Sequence, residues 1–232
     1  MNRIEKFQFG TTNTGTDVAD LSAAKQQLGG GTMNQTHGYI HGGLSAPSTY
    51  FNVIDKFTYA TEANATDHGD LTVSRRGTSS CSSSTHGYAC GGSTSPRSNV
   101  IDKYAFSSNT TASDIGNLTT ARGFWSAGSM SDTYGYCHGG DDPYQNTIDR
   151  FSFSSDGDAT DWADLSYTWA YMAGLASTTH GYAAGGYTSG GTTGPNSGHT
   201  NYIEKYPYAT QTNASDVGDL TTMRYGCSGT HY

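Results

Sequence analysis

Basic side chains recur at one position of the sequence and could together bind an anion. A basic residue stands four places after a recurring leucine in four of five occurrences, at Lys25, Arg75, Arg122 and Arg224. Trp169 occupies the remaining position. If these cations were grouped around one axis, they would form a cationic ring. Guanidinium groups bind carboxylates and phosphates through paired hydrogen bonds, so an acidic sugar or another anion is the ligand this ring predicts.

A second set of aromatic and charged side chains lies in the most variable segments of the chain. Variable loops on a rigid scaffold are where binding residues gather, and aromatic rings with polar neighbours suit the stacking of a sugar. The candidate ligand-binding residues are Tyr50, Phe51, Arg97, Asp142, Tyr144, Trp169, Tyr187 and His199. A tolerated insertion without a role is the alternative explanation for the longest segment, residues 187–201.

The histidines and cysteines show no pattern of a metal site or a catalytic centre. They are spread one or two per repeat unit, for example at His37, His86 and Cys137, so we expect them to fill the layers between sheets. A four-ligand metal site would need them to converge. No unit carries an acid or base that departs from the repeat and could act with a nucleophile. We therefore expect no metal, no cofactor and no enzymatic activity.

Internal repeats determine which elements must position these residues. An Ile-Asp/Glu-Lys/Arg-aromatic motif occurs five times, beginning at Ile4, Ile54, Ile101, Ile148 and Ile203, with spacings of 50, 47, 47 and 55 residues. A Gly-Tyr-x-x-Gly-Gly motif occurs four times. Each unit is interpreted as four short strands, A to D, in which the Gly-Tyr motif is strand B and the isoleucine motif is strand C.

The composition supports an all-β protein. The 232 residues include 31 Gly, 27 Ser, 33 Thr and 17 Tyr, and these residues favour strands and turns over helices. The net charge of −8 and the scattered basic residues argue against nucleic-acid binding. The chain contains no apolar run long enough for a transmembrane helix, and no signal peptide is visible.

A sheet of about 50 residues cannot bury both of its faces alone, but several sheets stacked around an axis can. Strand A is built from small residues such as Ser126-Ala127-Gly128, as the crowded centre of such a ring requires. The pattern predicts one β-propeller domain over residues 1–232. Its units are residues 4–53, 54–100, 101–147, 148–202 and 203–232, the last completed by the N-terminus.

The chain resembles the kelch family of propellers. Arg76-Gly77 through Tyr88-Ala89-Cys90-Gly91-Gly92 is similar to that family's inner hairpin, and Ile101-Asp102-Lys103-Tyr104 to its third strand. Trp162-Ala163-Asp164-Leu165 matches its Trp-x-x-Leu element, although the other units lack the tryptophan. The resemblance implies a structural role for the basic residues, which would bond neighbouring loop carbonyls. The Ser/Thr/Gly/Tyr-rich texture is also similar to that of bacteriophage and marine-virus structural proteins.

The two ends of the chain predict how the ring closes. The N-terminus begins at strand C and the C-terminus ends after strand A, so pairing the two would complete a fifth blade. A fragment of a six- or seven-bladed ring is the alternative.

Alternation of strand direction places the B–C and D–A loops on one face, where we expect ligand contact. We expect a non-enzymatic structural or binding module, in a virion or at an extracellular surface, that recognises a glycan or a protein. A carbohydrate-active kelch-like enzyme and a kelch-type adaptor are the alternatives. We expect no membrane insertion.

Overall fold

The computed structural model describes residues 2–8, 10, 14–123, 126–141, 143–188 and 198–229. Within these ranges every regular element is a β-strand, so the all-β prediction is confirmed. Ser, Thr, Gly and Tyr have indifferent or poor helix propensity and support short strands and turns. These ranges contain no helix with the length and apolarity needed to span a membrane.

The first half of the chain forms a small sheet and two blades, each blade an antiparallel four-stranded sheet. The N-terminal sheet pairs β1 (Arg3–Lys6) with β2 (Thr16–Asp20). Blade I comprises β3 (Gly31–Met33), β4 (His37–His41), a side hairpin of β5 (Leu44–Ser45) and β6 (Thr49–Tyr50), β7 (Val53–Thr58) and β8 (Thr66–Asp70). Blade II comprises β9 (Ser79–Ser82), β10 (His86–Cys90), β11 (Val100–Ala105) and β12 (Ser113–Asn117).

The second half forms two further blades in the same strand order. Blade III comprises β13 (Ala127–Met130), β14 (Tyr134–His138), β15 (Gln145–Ser152) and β16 (Thr160–Ala170). Blade IV comprises β17 (Ala173–Ala176) and β18 (His180–Ala184), then β21 (Tyr202–Pro207) and β22 (Ser215–Asp219). Between them β19 (Tyr187–Thr188) and β20 (Gly198–His199) form a hairpin that extends the sheet of blade III along the end of β16.

The four blades form a propeller-like ring in which the A strands converge. A Cβ atom at Gly128 would lie 2.0 Å from the Ser80 carbonyl oxygen of the preceding blade. One at Gly174 would lie 2.1 Å from the Gly128 carbonyl oxygen. Real Cβ atoms do not approach so closely, so this close backbone approach requires glycine. It explains why the inner strands are built from small residues.

Neighbouring blades are joined in the same way around the ring. An alanine N–H before each outer strand donates to a carbonyl on the outer strand of the preceding sheet, at 2.7–2.8 Å. The pairs are Ala65 to Asp20, Ala112 to Asp70, Ala159 to Asn117, and Ala214 to Asp164. Tyrosines of strand B fill the layers between blades, since Tyr39, Tyr88 and Tyr136 are at most 1% exposed. Their counterpart Tyr182 in blade IV is only half-buried.

The structure shows four complete blades where the sequence predicts five. Strands β1 and β2 hydrogen-bond to blade I but remain a two-stranded sheet. Residues 220–229 follow the last strand without forming one. The outer strand β22 is exposed along its whole length, because no further blade covers it in the described part of the chain.

Candidate binding face

The basic residues predicted to form a cationic ring are found mostly inside ion pairs. Each pairs with the acid that follows the strand C isoleucine, and both side chains are fully buried. The pairs are Lys25–Asp55 at 2.7 Å, Arg75–Asp102 at 2.8 Å and Arg122–Asp149 at 2.6 Å. Arg75 also donates to the Ala89 carbonyl, and Arg122 to the carbonyls of Gly139 and Thr147. These three cations join blade elements and do not reach solvent, so the structure does not make them an anion site.

Two positions depart from this pairing. Trp169 replaces the cation of blade IV and is fully buried, which corrects its placement among the ligand-contacting residues. The matching acid, Glu204, is also buried, and one of its carboxylate oxygens accepts the Ser166 N–H at 2.9 Å. The other oxygen has no hydrogen-bond partner among the described residues. Burial raises the pKa of Glu204, and the Ser166 hydrogen bonds oppose that effect.

Arg224 is the second departure. Its side chain is exposed, and the only hydrogen bond of that side chain among the described residues runs from Nε to the Thr222 carbonyl at 3.4 Å. The acid at the matching repeat position would be Glu5, which is also exposed.

The predicted binding loops carry a group of aromatic rings that contact one another in a chain. We call Tyr144, Tyr171, Tyr187, His199 and Tyr225 the aromatic cluster. Ring centroids are 6.2 Å apart between Tyr144 and Tyr187, and 5.8 Å between Tyr187 and His199. His199 stacks on Tyr225 at 4.5 Å, with 19° between the ring planes. Tyr171 lies 6.4 Å from Tyr187 and 6.2 Å from Tyr225.

The hairpin β19–β20 explains how two members of the cluster meet. Tyr187 and His199 come from the two ends of the longest B–C segment and are direct partners in the strand register. The register also pairs β19 with the end of β16, just before Tyr171. The hairpin therefore brings residues from two loops to one patch of the B–C and D–A face.

An ion pair borders the aromatic cluster. Arg97 Nη2 lies 3.5 Å from Asp141 Oδ1, and the Tyr171 hydroxyl donates to Asp141 Oδ2 at 3.3 Å. Burial and the Asp141 charge raise the pKa of Tyr171 to about 12. Burial is also the main cause of the raised pKa of Tyr144. Both phenols are therefore protonated at neutral pH and can donate hydrogen bonds.

Tyr171 holds an unusual backbone conformation. Its φ is 61°, in the left-handed region that favours glycine. The same repeat position holds Gln27, Gly77 and Gly226, with φ of 52°, 59° and 67°. A tyrosine in this conformation is strained, and such strain is retained most often at functional sites.

The structure unites part of the predicted site and separates the rest. Tyr144, Tyr187 and His199 join the aromatic cluster, and Arg97 borders it through Asp141. Asp142 lies outside the described residues. Tyr50 and Phe51 belong to blade I, where their rings are covered by Arg76 at 5.5 Å and by Lys25 at 5.0 Å.

Tyr171 and Tyr225 were not among the predicted site residues. Both lie in D–A segments, where the repeat pattern singled out only the basic position. An aromatic residue at a position that is glycine in two other units was the signal that could have identified Tyr171.

A cavity lies where the A strands converge. It has a volume of about 430 Å³ and is lined mainly by the A strands, including Gly30, Ser80, Gly128 and Gly174. Residues 226–229 contribute to the same wall. Among the described residues its lining includes no carboxylate, imidazole or basic group. The described ranges also contain no group of three metal-binding side chains placed to hold an ion.

The sheet order and the converging A strands define a β-propeller-like protein. No family model matches the chain, and no curated protein matches it by sequence. Its structure is similar to the solved structure titled "Structure of YjhT", with a TM-score of 0.68. The similarity covers 89% of this chain and 69% of that chain, at 12% sequence identity. At that identity it shows the fold alone.

Proposed function

We propose that this chain is a non-enzymatic binding module that recognises a glycan through the B–C and D–A face. The observation that carries the proposal is the aromatic cluster with its bordering Arg97–Asp141 pair. A sugar ring presents an apolar C–H face to an aromatic side chain and hydroxyl groups to its polar neighbours. Partly exposed rings beside a carboxylate, a guanidinium group and protonated phenols offer both kinds of contact.

The surroundings of the cluster favour recognition over catalysis. The buried acids Asp55, Asp102 and Asp149 are held in ion pairs. Glu204 is the observation that favours the enzymatic alternative, because a buried acid with a raised pKa is typical of active sites. Its side chain is fully buried, however, so a substrate bound at the surface of the loops would not contact the carboxyl.

We also propose a kelch-like ring of five blades, in which β1 and β2 act as strands C and D of the fifth. Residues 224–229 would supply its strand A. They already dock on blade IV, since the Gly226 N–H donates to the Tyr171 carbonyl at 2.9 Å. A cryo-electron or crystal structure that counts six or seven blades would support the fragment alternative. The Ser/Thr/Gly/Tyr-rich sequence supports our further proposal that the chain belongs to a virion or another extracellular assembly.

A glycan array tests the proposed function. The wild type should bind a defined set of saccharides, and Tyr187→Ala/His199→Ala should lose at least about tenfold in affinity, because truncation of an aromatic hot spot costs about 2 kcal/mol or more. A matched control, Ser84→Ala/Asp132→Ala, changes the A–B turns of the opposite face and should bind as the wild type. Thermal unfolding of each variant confirms that it is folded.

Equal binding by the wild type and the Tyr187→Ala/His199→Ala variant would refute the assignment of the site. Loss of binding in the control variant alone would move the site to the opposite face. Turnover of an array saccharide that is abolished by Glu204→Gln would establish the enzymatic alternative.

A further inference from the structure

Acids and cations of successive repeat units follow one pairing rule. The acid after the strand C isoleucine pairs with the cation that precedes strand A of the same blade, as in Lys25–Asp55 and Arg75–Asp102. Two acids remain after the three buried pairs are assigned, Glu204 and Glu5. Glu204 belongs to the unit in which Trp169 replaces the cation. Glu5 and the remaining cation of the series, Arg224, therefore occupy matching positions.

The backbone at Arg224 is already docked as in the paired units. Its N–H donates to the Thr200 carbonyl at 3.1 Å, and its carbonyl accepts the Gly186 N–H at 2.8 Å. At Arg75 the corresponding bonds run to Phe51 at 3.0 Å and from Gly43 at 2.9 Å. Arg224 is thus in register with Arg75, but its guanidinium group has no ion pair among the described residues.

Glu5 on the N-terminal sheet follows a β-bulge, as the buried acid Asp55 does. Strand β1 carries a bulge between Ile4 and Glu5. Strand β7 carries the same bulge between Ile54 and Asp55, where it precedes the buried acid. Glu5 is exposed and has no ion pair in the described ranges. Strand β1 therefore has the local geometry of a strand C that carries a buried acid.

The side of blade IV that would receive this sheet exposes apolar side chains whose repeat counterparts are buried in other blades. Val217 is 47% exposed, whereas its repeat counterparts Ile115 and Trp162 are 8% and 9% exposed beneath the next blade. Leu220 is half-buried, whereas Leu71 is 1% exposed. Blade IV therefore carries apolar residues at positions that a neighbouring blade buries elsewhere, but no sheet covers them among the described residues.

We propose that the N-terminal sheet of the same chain packs on blade IV, so that Glu5 pairs with Arg224, and that this pair positions Tyr225 in the aromatic cluster. Tyr225 is the residue after Arg224 and stacks on His199. Fixing the guanidinium group fixes the segment that carries the Tyr225 ring. Glu5 and Arg224 act here as positioning residues, and the ligand-binding role of the ring rests on the proposed function.

Charge reversal tests the pair without any ligand. Glu5→Arg and Arg224→Glu should each raise the unfolding equilibrium constant at least about tenfold, because each leaves a charge facing its like in a partly buried contact. The double variant Glu5→Arg/Arg224→Glu should return it to within about threefold of the wild type. The exposed pair Arg3–Asp17 serves as control, and single reversals there should change it less than about fivefold.

The His199 ring resonances report the positioning of Tyr225, because stacking shifts them. Each single reversal should move these resonances toward solvent-exposed values, and the double variant should restore them. If the effects of the two reversals on the free energy of unfolding are additive, Glu5 and Arg224 do not form an ion pair. If the effects are non-additive but the His199 resonances do not change, the pair does not position Tyr225. If the non-additivity depends on protein concentration and sedimentation shows association, the contact between Glu5 and Arg224 joins two copies of the chain and not two parts of one chain. Because no saccharide is used, failure of glycan binding would leave these readouts unaffected.

Discussion

Removal of one buried guanidinium group is expected to destabilise the ring strongly. Arg122→Met keeps an unbranched apolar stem but removes the guanidinium group, whose Nη2 atom lies 2.6 Å from Asp149. It also removes the donor to the Gly139 and Thr147 carbonyls. Breaking a buried pair in this way costs about 3–5 kcal/mol, because the remaining charge is left buried without compensation.

The expected loss can be converted into a melting temperature. For a chain of this size each 1 kcal/mol shifts the midpoint by about 2–4 °C, so the variant should melt roughly 6–20 °C below the wild type. Thermal and urea unfolding at pH 7, followed by tryptophan fluorescence, measure the loss. The control Arg3→Met removes a pair whose side chains are more than half exposed and should cost less than about 1 kcal/mol.

The pH dependence of this loss follows from Asp149. Burial raises the pKa of Asp149, and the Arg122 charge is the main effect that lowers it. Without Arg122 the folded-state pKa rises further above the unfolded value. The contribution of protonated Asp149 to the free energy of unfolding is then fully present below its unfolded-state pKa and is lost as pH rises through its folded-state pKa. The deficit of Arg122→Met should therefore be largest at pH 7 and shrink on acidification. A deficit under 1 kcal/mol, or one independent of pH, would refute the role assigned to the buried pairs.

Three further predictions concern the core, the isolated acid and the strained loop. Tyr136→Ala should cost about 3–5 kcal/mol by leaving a cavity, and Tyr182→Ala clearly less because that ring is half-buried; urea unfolding compares them. Because burial raises the pKa of Glu204, the wild type should lose stability as pH rises above about 4.5, and Glu204→Gln should flatten that part of a melting-temperature profile. Tyr171→Gly should relieve backbone strain and keep the melting temperature within a few degrees, yet weaken binding of the array saccharides about tenfold.

The repeated strands could be predicted because their signals are local. Glycine pairs, alternating residues and small inner-strand residues recur at fixed spacing, and each reflects a steric need of one blade. The pairing of Arg75 with Asp102 could not be predicted from a local sequence pattern. The two residues are 27 positions apart in different elements, so only the packing of the D–A segment against strand C brings them together.

The sequence predicts which face of the propeller carries the candidate site, but not which side chains contact one another there. Alternating strand direction places the B–C and D–A loops together, and three members of the aromatic cluster were identified on that basis. Which rings meet depends on the β19–β20 hairpin and its pairing with β16, and these contacts carry no periodic signal. Trp169 illustrates the limit, because its position in a D–A loop indicated exposure while packing buries it completely.

A nuclear magnetic resonance titration tests whether the aromatic cluster binds a glycan. The protein labelled with ¹³C in its tyrosine and histidine rings would be titrated with the saccharide that binds best on the array. Binding at this face should give saturable shifts in the rings of the aromatic cluster and leave the buried Tyr39 and Tyr88 rings unchanged. Shifts confined to other rings, or no saturable shift with any array saccharide, would contradict a glycan site on this face.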